Sequence, residues 1–320
     1  MMIGALVGSG LFAEPAPAGQ SRSLGESLRA AVGPVLREST AGRYHLTAGP
    51  AGAIEQARVE RLVSALADFE QAYRAMWQGQ PSLRETTTRV ELYLIVEGGR
   101  LRQVMKSAGI ARPFFEAGGV YLKESATLII ENASQLERSI LASLVHETTH
   151  FLNHEILQGD AFPPWLNEGL AQYCEYSRYE GENTGARYHL GEIDPGSELR
   201  VPEGDGETIY QFTPARSLSY LQGQLMRDRS LSLGPLLKTG GGARFYGEGS
   251  QLRYAQSWTL VHLLAEGSIR GGGSLRVPFL RYVAMAARGD AMAANSLPKA
   301  LGMTIEDLDD AWRRHLKRLQ

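Results

Sequence analysis

The stretch Ser143–Ile156 reads SLVHETTHFLNHEI and carries three histidines four residues apart, His146, His150 and His154. His146-Glu147-Thr148-Thr149-His150 has the form His-Glu-x-x-His. On an α-helix, residues four apart lie one above the other with Cβ atoms about 5–6 Å apart. Both imidazoles can then reach one zinc ion at about 2.0–2.1 Å. Glu147 sits beside the first imidazole, where its carboxylate can reach metal-held water without ligating the metal. That is the base position of a zinc hydrolase. His154 lies roughly 12 Å along the axis from His146 at about 1.5 Å per residue. One ion cannot span that distance, so His154 is read as a surface or supporting histidine. Ile156 occupies the place, six residues after His150, where a metzincin would carry its third histidine.

A third ligand must come from a neighbouring element. Pro163–Tyr173 reads PPWLNEGLAQY, with Glu168 near the start of a second helix. A helix, a tight turn and a returning helix would bring its carboxylate to His146 and His150. Asn167 can hydrogen-bond nearby backbone. Gly169 and Ala171 are small enough for the two helices to approach closely. Cys174 is the only cysteine. Cysteine-rich zinc sites and intramolecular disulfides are thereby excluded, and any metal must be held by nitrogen and oxygen. Cys174 itself is read as a small buried apolar residue.

The elements that must position these residues follow from periodicity. Arg43–Gly49 reads as a first strand. Val59, Leu62, Val63, Leu66, Phe69, Tyr73 and Met76 recur at helical spacing between Ala53 and Trp77. Thr88–Val96 is β-branched and aromatic, hence a strand, and a short helix follows near Arg100–Ala108. A glycine pair precedes two short strands, Val120–Leu122 and Thr127–Ile130, joined by a turn near Glu124-Ser125. Ser134 and Glu137 form a capping-box pattern that opens the helix carrying the histidines, and Leu136, Ile140, Leu144, Thr148 and Leu152 line one side of it. Gly159 is a stop signal, and Asp160–Trp165 a turn. A second helix is expected from Leu166 to Tyr179, then a Gly- and Glu-rich loop over 181–208. Later helices are expected at Ala215–Arg227, Tyr254–Glu266, Val277–Ala287 and Ile305–Leu319. The glycine triplets at Gly240 and Gly271 lack the ending of a phosphate loop and read as loops.

HETTH followed by WLNEGLAQY resembles the gluzincin zinc metallopeptidases, and more specifically the peptidase-MA-like family of mostly bacterial proteins, many with no assigned substrate. GGVYLKESATLII before the zinc helix, YAQSWTLVHLL (Tyr254–Leu264) and LGMTIEDLDDAWRRHL (Leu301–Leu316) extend the resemblance over about residues 43–320. It implies His146, His150 and Glu168 as zinc ligands, Glu147 as catalytic base, and a strand edge that holds an extended peptide by backbone pairing. It also implies an oxyanion donor, a Tyr or His from the later helical region. Tyr254 is favoured, with His262, Tyr210, Tyr246 and His189 as alternatives. Thermolysin-like gluzincins place an Asp four residues after the glutamate ligand to orient the first histidine. Gln172 stands there instead, which leaves the support of that histidine open, with Glu175 as an alternative supporter.

The expected fold is α+β with a thermolysin-like architecture: a small N-terminal α/β lobe with a strand before the zinc helix, then a mainly helical C-terminal lobe. The expected divisions are a signal segment over 1–18, a linker over 19–42, the metallopeptidase lobe over 43–190 and the helical lobe over 191–320. Met1–Ala13 is apolar and Ala16-Pro17-Ala18 has the form of a cleavage site, although no basic residue precedes it. Export to the periplasm or medium is the expectation. The chain has 320 residues and a formal net charge of -2, with no long basic run, so nucleic acid is not an expected partner. No apolar stretch is long enough for a transmembrane helix in the mature chain. The expected function is hydrolysis of peptide bonds in a peptide or protein substrate, with Zn2+ as cofactor. The alternatives are a zinc-binding, peptide-binding scaffold that keeps the fold and hydrolyses little, and a zinc hydrolase acting on other bonds.

Overall fold

The structure, a computed structural model, describes residues 24–79, 83–96, 100–107, 119–132, 136–181, 187–194, 214–228, 231–239, 242–268, 273–289 and 296–319. The segment 1–18 expected as a signal therefore lies outside the described residues, as do Ser134, Tyr210 and the first two glycines of each glycine triplet. The architecture is α+β, with a small N-terminal sheet and a mainly helical C-terminal part. Two compact units divide the chain, Met2–Gln71 with Thr87–Phe151, and Ala72–Thr86 with Leu152–Gln320. The division falls inside the histidine-bearing helix instead of near residue 190.

The first unit opens with α1 (Leu24–Val32), β1 (Arg37–Ala41), β2 (Tyr44–Gly49) and α2 (Gln56–Met76), whose last turn belongs to the second unit. Then come β3 (Val90–Ile95), α3 (Leu101–Ser107), β4 (Gly119–Leu122), β5 (Thr127–Glu131) and α4 (Glu137–Glu155). The sheet has the order β1-β2-β3-β5-β4. β2, β3 and β5 run parallel, and β1 and β4 are antiparallel edges. The parallel strands are mostly buried on both faces, as strands covered on both sides are.

Residues 24–41 correct the expectation of a linker over 19–42. Leu28 and Val32 of α1 are fully buried against Tyr93, Ile95, Leu101, Met105, Val120 and Ile129. Ala, Gly and Ser around them masked the spacing of Leu24, Leu28 and Val32, which is one face of a helix.

In α4, Ile140, Leu144, Thr148 and Leu152 are buried, whereas Leu136 precedes the helix and is half exposed. The helix start is tied down by Asn132, buried, whose amide donates to Ser139 O at 3.0 Å and Ser143 Oγ at 2.9 Å. Glu137 is held by Arg61, with Nη2 2.6 Å from Oε2. Beyond the helix, Gln158 adopts a left-handed φ of 56° and turns the chain.

The second unit carries α5 (Pro164–Glu175), β6 (Ser177–Glu180) and β7 (Arg187–Ile193). Helices α6 (Pro214–Arg227), α7 (Gly234–Leu237), α8 (Gly242–Tyr246), α9 (Ser250–Glu266), α10 (Arg276–Ala287), α11 (Ser296–Leu301) and α12 (Ile305–Leu316) follow. The second helix thus ends at Glu175, short of the expected Tyr179, and part of the expected loop over 181–208 is the strand β7. β6 and β7 form an antiparallel pair in which charged residues are mixed with tyrosines. Pro at the first turn of α5 suits a position whose N–H has no helical partner. Gly169 lets α5 approach α9: a Cβ there would meet Ser257 O at 2.7 Å. Gly169 therefore serves contact with α9. From the sequence, its small size was expected to serve the approach of the histidine helix.

Candidate metal centre

His146, Glu147 and His150 lie on one stretch of α4, and Glu168 lies on the second turn of α5. The helical repeat brings the two imidazoles together with ring centroids 5.0 Å apart and planes at 78°. His146, His150 and Glu168 each offer one ligand atom, and these three atoms all lie within 4.8 Å of one another. Among the described residues this is the one such group. Two nitrogens and a carboxylate oxygen converging in this way could hold a metal ion. His154 is not part of it. Its Nδ1 is 3.2 Å from Glu155 Oε1 and its Nε2 3.3 Å from Asp160 Oδ1, the surface role expected of it.

The burial of these groups matters for their chemistry. Glu168 has no exposed surface, and His150 and Glu147 are 3% and 5% exposed. A carboxylate this far from water needs donors or a cation to compensate its charge. Tyr246 supplies one donor, its hydroxyl donating to Glu168 Oε1 at 2.8 Å. Tyr246 is separated from Glu168 by 78 residues, and sequence reasoning offered it only as one of several alternative donors.

Glu147 has a different neighbour. A Cβ at Gly119, the first residue of edge strand β4, would lie 2.6 Å from Glu147 Oε1 and 2.8 Å from its Cγ. The strand backbone therefore sits directly on the Glu147 side chain.

The supporting residues divide as follows. Gln172 is buried and its Nε2 donates to the Tyr176 hydroxyl at 3.3 Å. Asn167 accepts from Asn153 Nδ2 at 2.8 Å, a side-chain partner in place of the backbone one expected. Tyr254 is buried on α9, with its ring 5.4 Å from Phe245 and 6.5 Å from Tyr246. His262 is buried and satisfied, its Nδ1 2.9 Å from His315 Nε2 and its Nε2 3.0 Å from Gly191 O. His189 lies on β7 with Glu180 and Glu192 at 3.3 and 3.6 Å. Cys174 is buried, as expected of a small apolar residue. No family model matches the chain and no curated protein matches it, so the site is read from its own geometry.

Proposed function

We propose that the protein is a zinc-dependent metallopeptidase of the gluzincin type, hydrolysing peptide bonds. The observation that carries this reading is the convergence of His146, His150 and Glu168, with Glu147 next to the first ligand. The donor set favours zinc. Two imidazoles and one carboxylate form the three-ligand pattern of catalytic zinc sites, whereas magnesium and calcium prefer oxygen throughout.

A bound zinc ion would supply Lewis acidity and bring the pKa of water toward about 7. Glu147 takes a proton from the attacking water and delivers it to the leaving amine. Its low exposure keeps bulk water away from that transfer. Tyr246 holds the Glu168 carboxylate through its O–H. Tyr254 donates to the oxyanion in this proposal, as a phenol that needs no change of protonation to do so. The edge of β4 receives the substrate backbone, since an unpaired strand edge offers N–H and C=O groups to an extended peptide.

Export remains part of the proposal. Among the described residues no helix is long and apolar enough to cross a membrane.

A peptide-library digest comparing the wild type with Glu147→Gln tests the reading. The variant is expected to keep its zinc and lose cleavage by about 10²–10⁴-fold, the usual contribution of a positioned acid–base group. Equal cleavage by both proteins would overturn it. Stoichiometric zinc with no cleavage by the wild type would favour the scaffold alternative.

A further inference from the structure

We infer that Asn153 is a positioning residue for the metal centre, acting through a buried chain of hydrogen bonds from Tyr73 through Asn153 to Asn167. The inference rests on the metal-binding reading above and deepens it. Tyr73 lies on the last turn of α2, Asn153 on the last turn of α4 and Asn167 on the first turn of α5. Tyr73, Asn153 and Asn167 are 0%, 1% and 7% exposed. The Tyr73 hydroxyl donates to Asn153 Oδ1, and Asn153 Nδ2 donates to Asn167 Oδ1 at 2.8 Å.

The chain runs in one direction. Burial raises the Tyr73 pKa well above its ordinary value, so the phenol keeps its proton and can donate it. It donates to the oxygen end of the Asn153 amide, whose nitrogen end is turned toward Asn167. The Asn167 oxygen then has to face Asn153. Apolar contacts between helices tolerate sliding, but a buried directional chain is satisfied in one register only.

That register is the one the metal centre needs. Asn153 is one helical turn beyond His150 on the same helix. Asn167 immediately precedes Glu168 in sequence. On the opposite side, Gly169 presses α5 against the backbone of α9. Glu168 is thus bracketed by two neighbours, one fixed to the end of the histidine helix and one fixed to α9. Tyr246 then orients the carboxylate itself.

The test is zinc affinity, measured by competition with a chromophoric chelator at pH 7 and well below the melting range. The proteins compared are the wild type, Asn153→Leu, Tyr73→Phe, His146→Ala and Leu308→Ala. Asn153→Leu is expected to weaken zinc binding by about tenfold or more, the usual effect of removing support behind a ligand. Tyr73→Phe, a milder change that keeps the ring, is expected to weaken it in the same direction by less. Leu308→Ala, a fully buried core truncation on α12, lowers stability without touching the chain and is expected to keep wild-type affinity. If Asn153→Leu fails to fold, Tyr73→Phe carries the test. Wild-type affinity in the network variants, with His146→Ala losing zinc, overturns the inference and leaves the metal reading intact. A wild type that takes up no zinc overturns both.

Discussion

Gly119 and Glu147 are in contact across β4 and α4: a Cβ on Gly119 would fall 2.6 Å from Glu147 Oε1, 2.8 Å from Cγ and 2.9 Å from Cδ. β4 is held by its antiparallel pairing with β5, Gly119 facing Ile130. The flexible partner is therefore the glutamate, and a side chain at 119 has to push it away along its whole length.

Gly119→Ala is expected to act on turnover far more than on stability. A displacement of about 1 Å in a catalytic group can cost about 10²-fold in rate. We expect kcat to fall by about that factor with zinc content unchanged, because His146, His150 and Glu168 are not displaced. Steady-state kinetics with metal analysis checks this. A variant with the wild-type kcat would show that the Glu147 side chain has room to spare.

Tyr246→Phe removes the O–H that donates to Glu168 Oε1. A hydrogen bond to a buried carboxylate is among the stronger ones, because the acceptor is charged. Zinc affinity is expected to fall by about 10–100-fold with the fold retained. Chelator competition reads it directly, and unchanged affinity would assign the hydroxyl no part in holding the ligand.

Gly169→Ala has a diagnostic sign. On an open helix the change stabilises by about 1 kcal/mol. Here the new methyl would meet Ser257 O and Val261 Cγ2, each at 2.7 Å. A backbone oxygen cannot rotate away, so α5 and α9 have to separate. We expect a loss of about 1–3 kcal/mol, read as a lower denaturant midpoint. A higher midpoint would contradict the close approach.

The parts of the structure that were legible in the sequence are those fixed by local geometry. Val90–Ile95 and Thr127–Glu131 show their strands through β-branched runs, and Val59 to Met76 show α2 through spacing. His146 and His150 are one helical turn apart, so their pairing could be read without knowing the fold. Glu168 needed only one further step, a turn between two helices. The contacts of Gly119 with Glu147 and of Tyr246 with Glu168 depend on tertiary packing, and no local pattern encodes them. α1 was hidden by its Ala- and Gly-rich neighbours. β6 and β7 were hidden because SRYE and RYHLGEI carry charges on a half-exposed hairpin, where no apolar alternation marks the strand. Nothing local marks Asn153, because its partners lie 80 and 14 residues away.

The His262–His315 pair gives the protein an acid-sensitive element. Gly191 O can only accept, so His262 Nε2 carries the proton and its Nδ1 accepts from His315 Nε2. The His262 ring is thus neutral when paired. Burial lowers the pKa of each, and that of His315 to about 4, with the facing His262 and Arg318 adding to the effect. Glu266 opposes it at His262, and the neighbouring Tyr173 phenol, raised by burial, stays uncharged. In the unfolded chain both histidines take up protons near about pH 6.5. The folded state binds fewer protons than the unfolded one below that pH, so stability falls as the solution is acidified. The contribution of the pair is complete above about pH 6.5, and for His315 it is lost progressively down to about 4. His315→Gln keeps a donor for His262 Nδ1 and removes one titration. Its melting temperature is expected to fall less steeply than that of the wild type between those two pH values. Parallel melting curves across that interval would show that the pair does not couple protons to folding.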